Sequence, residues 1–95
     1  MDTKEAYEQK LESQLNEWKA EITKLKAKAD RSEADVRLEY QKQIGDLRAK
    51  QETAQAKLDE LKRAGEGGWK DLKAGTDRAW ETLHNAIKSA VSRFK

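Results

Sequence analysis

Ninety-five residues with 36% hydrophobic and 40% charged side chains suit one small unit and leave little apolar material for a conventional globular core. The absence of cysteine removes disulfides, thiol nucleophiles and thiolate metal sites. A net charge of +2 is too weak a basic balance to point to nucleic acid, so no nucleic-acid partner is expected.

The charge is unevenly placed. Residues 1–68 carry 14 basic and 15 acidic side chains, net −1, whereas residues 69–95 carry 6 basic and 3 acidic, net +3. That tilt would suit an anionic surface at the C-terminal end. The N-terminus has no apolar signal-peptide core, and no run approaches ~18 apolar residues. A cytoplasmic protein, at most peripheral to a membrane, is expected.

The chain contains no proline and reads as helix almost throughout. Asp2 followed three residues later by Glu5 forms a capping-box pattern for a first helix. Leu11, Leu15, Trp18, Ile22, Leu25 and Ala29 then recur at alternating spacings of four and three, a heptad seam. Trp18 is bulky for a two-stranded seam and marks a layer among three or more helices.

From Ile22 the apolar positions shift to an eleven-residue period through Val36, Tyr40, Ile44 and Leu47. Such a period unwinds the supercoil that heptads impose. The spacing therefore predicts a nearly straight helix through residues 29–47, with Ser32 and Glu33 as its weakest part. Heptads resume through Gln51, Ala54, Leu58 and Leu61. Gly45 lies beside the seam and is expected to bend the helix at most. Glu33 with Arg37, Asp46 with Lys50 and Asp59 with Arg63 have the favourable acid-before-base order one turn apart. A single long helix over about 3–64 is the expectation.

Gly65, Gly67 and Gly68 follow Lys62 and Arg63 and form a hinge, with a left-handed glycine expected at the helix end. A second helix over about 69–94 repeats in elevens. Trp69, Trp80 and Val91 align, as do Leu72, Leu83 and Phe94, and Ile87 falls on the same stripe. Burying each large side chain contributes roughly 1.5–3 kcal/mol. Ordering the backbone costs on the order of 1–2 kcal/mol per residue. The two sums are comparable, so this amphipathic helix needs a surface. Either it folds back over residues 40–61 as a helical hairpin, or it lies on an anionic membrane surface.

Residues 1–64, 65–68 and 69–95 thus make one all-α structural unit: a long helix, a glycine hinge and an amphipathic helix. The second helix is too short to reach Leu11, Leu15, Trp18, Ile22 and Leu25. These are therefore expected to form an oligomer seam in a coiled coil, either an antiparallel dimer or a higher assembly, filaments included.

No catalytic, cofactor or metal site is expected. His84 is the one histidine and has no further ligands at suitable spacing. The acidic pairs lack a cleft to shift their pKa values. The glycine-rich segment lacks the lysine of a phosphate-binding loop.

The repeats Trp69-x-x-Leu72 and Trp80-x-x-Leu83, with lysine-flanked apolar faces, resemble those of exchangeable apolipoproteins and late-embryogenesis-abundant proteins. Across nearly all of its length the chain resembles small bacterial coiled-coil proteins associated with stress responses. The matching stretches are QLNEWKAEITKLKAKAD, EYQKQIGDLRAKQETAQAKLDELK, and the C-terminal repeat ending in SRFK. The resembled family has no settled biochemical activity; with the uncovered seam, the expected function is that of a non-enzymatic, self-associating coiled-coil protein with a scaffolding or stress-related role. The resemblance carries no functional residues. The alternative function is reversible lipid binding through the C-terminal helix.

Overall fold

The computed structural model describes residues 3–94. They form three helices: α1 (Lys4–Asp30), α2 (Ala34–Arg63) and α3 (Trp69–Arg93). The helices run up, down and up in a bundle measuring 51 × 19 × 18 Å. The α1–α2 and α2–α3 pairs are antiparallel, and α1 runs parallel to α3. Tyr7 of α1 accordingly meets Asp77 near the start of α3, and Tyr40 of α2 stacks on Phe94 at its end.

The expected single helix over 3–64 is two helices. Residues 31–33 break it, at the segment where the seam is weakest. The Arg31 and Ser32 N–H groups donate to Lys28 and Ala29 carbonyls at 3.2 and 3.1 Å, a tightened last turn. Ser32 Oγ donates to the Lys28 carbonyl at 2.8 Å, and Arg37 reaches back to the Ser32 carbonyl at 3.0 Å. Glu33 is extended and lies outside α2. The straight passage through residues 29–47 is therefore absent. Folding back lets the two halves bury each other's apolar faces within one chain.

This fold-back also supplies the cover that the first half was expected to lack. Leu11, Leu15, Ile22 and Leu25 are buried in a core shared with Tyr40, Leu47, Ala54, Leu58, Leu83 and Ile87. The premise that another chain must cover this seam does not hold in the closed bundle. Trp18 is half-buried, packed against the core at its α3 side beside Trp80 and His84.

Local details follow the physical chemistry of helix ends. Thr3 caps α1, its hydroxyl accepting from the Ala6 N–H at 3.1 Å. The expected cap Asp2 lies outside the described residues. At the end of α2 the chain leaves through an extended Ala64, with φ −73° and ψ 145°. No described glycine has positive φ, so the expected left-handed glycine is not used. Gly68 and Trp69 N–H groups instead turn back onto the Gly65 carbonyl at 3.0 and 3.2 Å.

Gly45 and Gly75 lie within unbroken helices. Asp46 and Lys50 pair at 2.6 Å, whereas Asp59 accepts from Gln55 at 3.1 Å. Glu33 is the N-cap residue of α2 and its carbonyl accepts the Arg37 N–H at 2.8 Å, while the Arg37 side chain bonds the Ser32 carbonyl.

The hairpin expected for the C-terminal helix is present. Trp69, Trp80, Leu83 and Ile87 are buried, and Leu72, Val91 and Phe94 are half-buried. Thr76 joins them, its hydroxyl satisfied by the Leu72 carbonyl at 2.9 Å. The stripe considered for lipid thus faces protein in this state.

Candidate functional site

The α1–α2 and α2–α3 pairs make most of the contact in the bundle, and α1 and α3 touch least. Their seam opens into a groove of about 720 Å³. Trp18, Ala20, Ile87 and Val91 line its apolar floor, and Glu17, Glu21, Lys24, His84 and Lys88 form its rim. The geometry follows from residue size and spacing. Trp18 sits one turn before Ile22 and leans toward α3, where its ring centroid lies 6.4 Å from Trp80 and 5.8 Å from His84. The indoles hold the helices apart near their middle. Beyond them, Ala20 on α1 is too small to fill the space that Ile87 and Val91 border.

The groove rim carries two carboxylates and two ammonium groups. Lys24 Nζ lies 3.5 Å from Glu21 within the same turn spacing. Both are solvent-exposed enough that their pairing contributes little on its own. The balance leaves no net field to attract an ion of either sign. Trp80 Nε1 is enclosed with no acceptor among the described residues, so the indole is held by packing alone.

At the opposite end, Tyr7 ties α1 to α3. Its hydroxyl donates to Asp77 Oδ1, lies 3.4 Å from the Lys73 carbonyl, and its ring packs 5.8 Å from Trp69. Burial, then the hydrogen bond and charge of Asp77, push the tyrosine pKa above its ordinary range. Lys62 of α2 pairs with Glu12 of α1, and the hydrogen bond to that carboxylate raises the Lys62 pKa.

The seam residues Leu11, Leu15, Ile22 and Leu25 come together with the α3 stripe rather than forming a free surface. Trp18 alone of that set reaches solvent. Gly65, Gly67 and Gly68 lie at the α2–α3 turn, remote from the groove. Sequence reasoning missed the groove because it places Ala20, Ile87 and Val91 together only once α1 folds back. The bulk of Trp18 was the one signal, since it pointed to a layer of three or more helices.

Among the described residues, no group of three or more His, Asp or Glu side chains is arranged to hold a metal ion. No described helix is long and apolar enough to cross a membrane. Fold and site together define an all-helical three-helix bundle with an open amphipathic groove. Compared with protein-family models, curated proteins and solved structures, the chain has no match.

Proposed function

We propose that the chain is a non-enzymatic, self-associating helical scaffold with a structural or stress-related role in the cytoplasm. The observation that supports this reading is the open groove between α1 and α3. Glu17, Ala20, Glu21 and Lys24 form one stripe along α1, at spacings of three, one and three residues. Two copies laid antiparallel about the Ala20–Glu21 step set Glu17 of each opposite Lys24 of the other. Ala20 permits close approach at the dyad, and Trp18, Ile87 and Val91 supply the apolar contact. Such an isologous arrangement uses one patch twice.

Sedimentation velocity across a micromolar concentration series tests the reading. Mass is expected to rise with concentration, and Trp18→Glu together with Ala20→Glu is expected to abolish the groove contact. A chain that stays monomeric throughout the series refutes self-association.

A second reading is reversible binding to an anionic lipid surface. The net basic α3 carries the apolar stripe, and its contact with α1 is the thinnest in the bundle. Lipid binding by this stripe requires the bundle to open. Co-flotation with phosphatidylglycerol vesicles, but not phosphatidylcholine vesicles, supports it; no flotation at millimolar lipid removes it.

A further inference from the structure

The apolar face of α1 continues through the α1–α2 turn without losing phase. Ile22, Leu25, Ala29, Val36, Tyr40, Ile44 and Leu47 fall on one face of a continuous helix. The turn contains neither proline nor glycine, and no described residue has positive φ. Arg31 is already right-handed helical, with φ −98° and ψ 0°. Glu33 has a helical φ of −65° and departs only in ψ, at 159°. It makes no side-chain cap to α2. Nothing local forbids helix here; the break is held by packing. Val36, on the face that this continuous helix would present, is 45% exposed in the closed bundle.

We propose that α1 and α2 join through residues 31–33 into one helix spanning 4–63, and that two copies in this form exchange their α1 helices. This deepens, and rests on, the reading that the chain associates with itself. Each α1 then packs on the other copy's α2 and α3. Tyr7 with Asp77, Glu12 with Lys62 and Trp18 with Trp80 are remade between chains. The two forms therefore differ mainly at the turn.

Opening the turn gives up the Arg37 bond to the Ser32 carbonyl and the tightened Arg31 and Ser32 N–H bonds, while the Ser32 hydroxyl bond to the carbonyl four residues back also fits a helix. It gains helical hydrogen bonds through residues 31–33. The register that pairs Glu12 with Lys62 puts the dyad near residue 37, so Val36 of the two copies lie beside each other there and cover one another's exposed side chains. Intrachain pairing wins at low concentration because α1 is tethered beside its own partners. Exchange wins as concentration rises. Exchanged dimers retain a groove on each lobe. Two different isologous contacts per chain build an open polymer, which suits a scaffold.

The chain has no cysteine, so Glu12→Cys and Lys62→Cys introduce a specific pair for a short bis-maleimide. The native side chains at these positions form an ion pair between α1 and α2, away from the groove. The full-length chain is refolded at high concentration, diluted and cross-linked. Covalent dimers linking 12 to 62 are expected. Ala34→Pro in the same background locks the closed form. Ala34 is the first residue of α2, where proline is tolerated, and the extended Glu33 suits a residue before proline. Inside a continuous helix that proline is strongly disfavoured, and dimer yield is expected to fall roughly tenfold or more.

Exclusively intrachain cross-links from the unaltered turn overturn the proposal. So does an equal dimer yield in Ala34→Pro with unchanged helicity. If Ala34→Pro fails to fold, Ser32→Ala with Glu33→Ala decides: a higher dimer yield supports exchange and an unchanged one overturns it. Ala20→Glu, at an exposed groove residue outside the exchanged contacts, is expected to leave the interchain cross-link in place, and its loss overturns the proposal. A chain that sediments as an oligomer yet cross-links only within itself keeps the scaffold reading and loses exchange.

Discussion

The Tyr7 hydroxyl donates a hydrogen bond to Asp77 Oδ1 across seventy residues of sequence, fastening the first turns of α1 to α3. This contact is the polar latch on the least-packed of the three helix seams. The Lys73 ammonium lies 5.4 Å from the Tyr7 ring centroid and completes the cluster. Tyr7→Phe keeps the ring packing and removes the donor. Thermal or urea unfolding is expected to show a loss of about 1 kcal/mol, the usual net worth of such a bond. An unchanged midpoint shows that the latch contributes nothing.

The same pair gives stability a defined alkaline limb. The folded-state pKa of Tyr7 is raised above its ordinary value of 10.0, first by burial and then by Asp77. The folded protein therefore holds this proton where the unfolded chain releases it. The contribution is fully present below pH ~10 and is lost as pH rises further. The stability difference between the wild-type chain and Tyr7→Phe is expected to stay constant through neutral pH and shrink above pH ~10. A difference that grows with alkali contradicts the assignment.

Leu83 is fully enclosed and lies in the core that joins all three helices. Leu83→Ala leaves a cavity and is expected to cost about 2–5 kcal/mol. Leu38 is 60% exposed, so Leu38→Gln is expected to stay within about 0.5 kcal/mol. Comparable losses from the two variants, measured by urea unfolding, contradict this placement of the core.

Gly45 and Gly75 sit inside helices with open space where a Cβ would stand. Gly45→Ala and Gly75→Ala are each expected to stabilise the chain by about 1 kcal/mol through helix propensity. For a domain of this size that corresponds to a rise of roughly 4–8 °C in Tm per substitution. A fall in Tm for Gly45→Ala means that the helix does not pass straight through this position.

Much of the helical content was legible from spacing alone. The stripe of Trp69, Trp80, Leu83 and Ile87 predicted an amphipathic helix with two candidate covers, the preceding helix or a lipid surface; the helix is present and packs on α2. The glycine cluster marked the α2–α3 turn because nothing else in the chain interrupts helix-forming residues so clearly. The α1–α2 turn was marked only as the weakest part of the seam, for the converse reason. Arg31, Ser32 and Glu33 are compatible with helix, and the seam keeps its phase across them. The groove inherits that difficulty, since Trp18, Ala20 and Val91 become neighbours only after this turn forms.

The sequence by itself determined which faces are apolar, that those faces belong to helices, and where the glycine break falls. These are local properties, set by residue type and period. Tertiary structure decided that the first sixty residues fold back instead of running on. A local pattern codes for a buried face without stating which surface buries it. Leu11, Leu15, Ile22 and Leu25 are equally satisfied by a second chain or by α2 and α3. In the closed bundle the nearer partner covers them, because a tether makes the intrachain contact the less costly one in entropy.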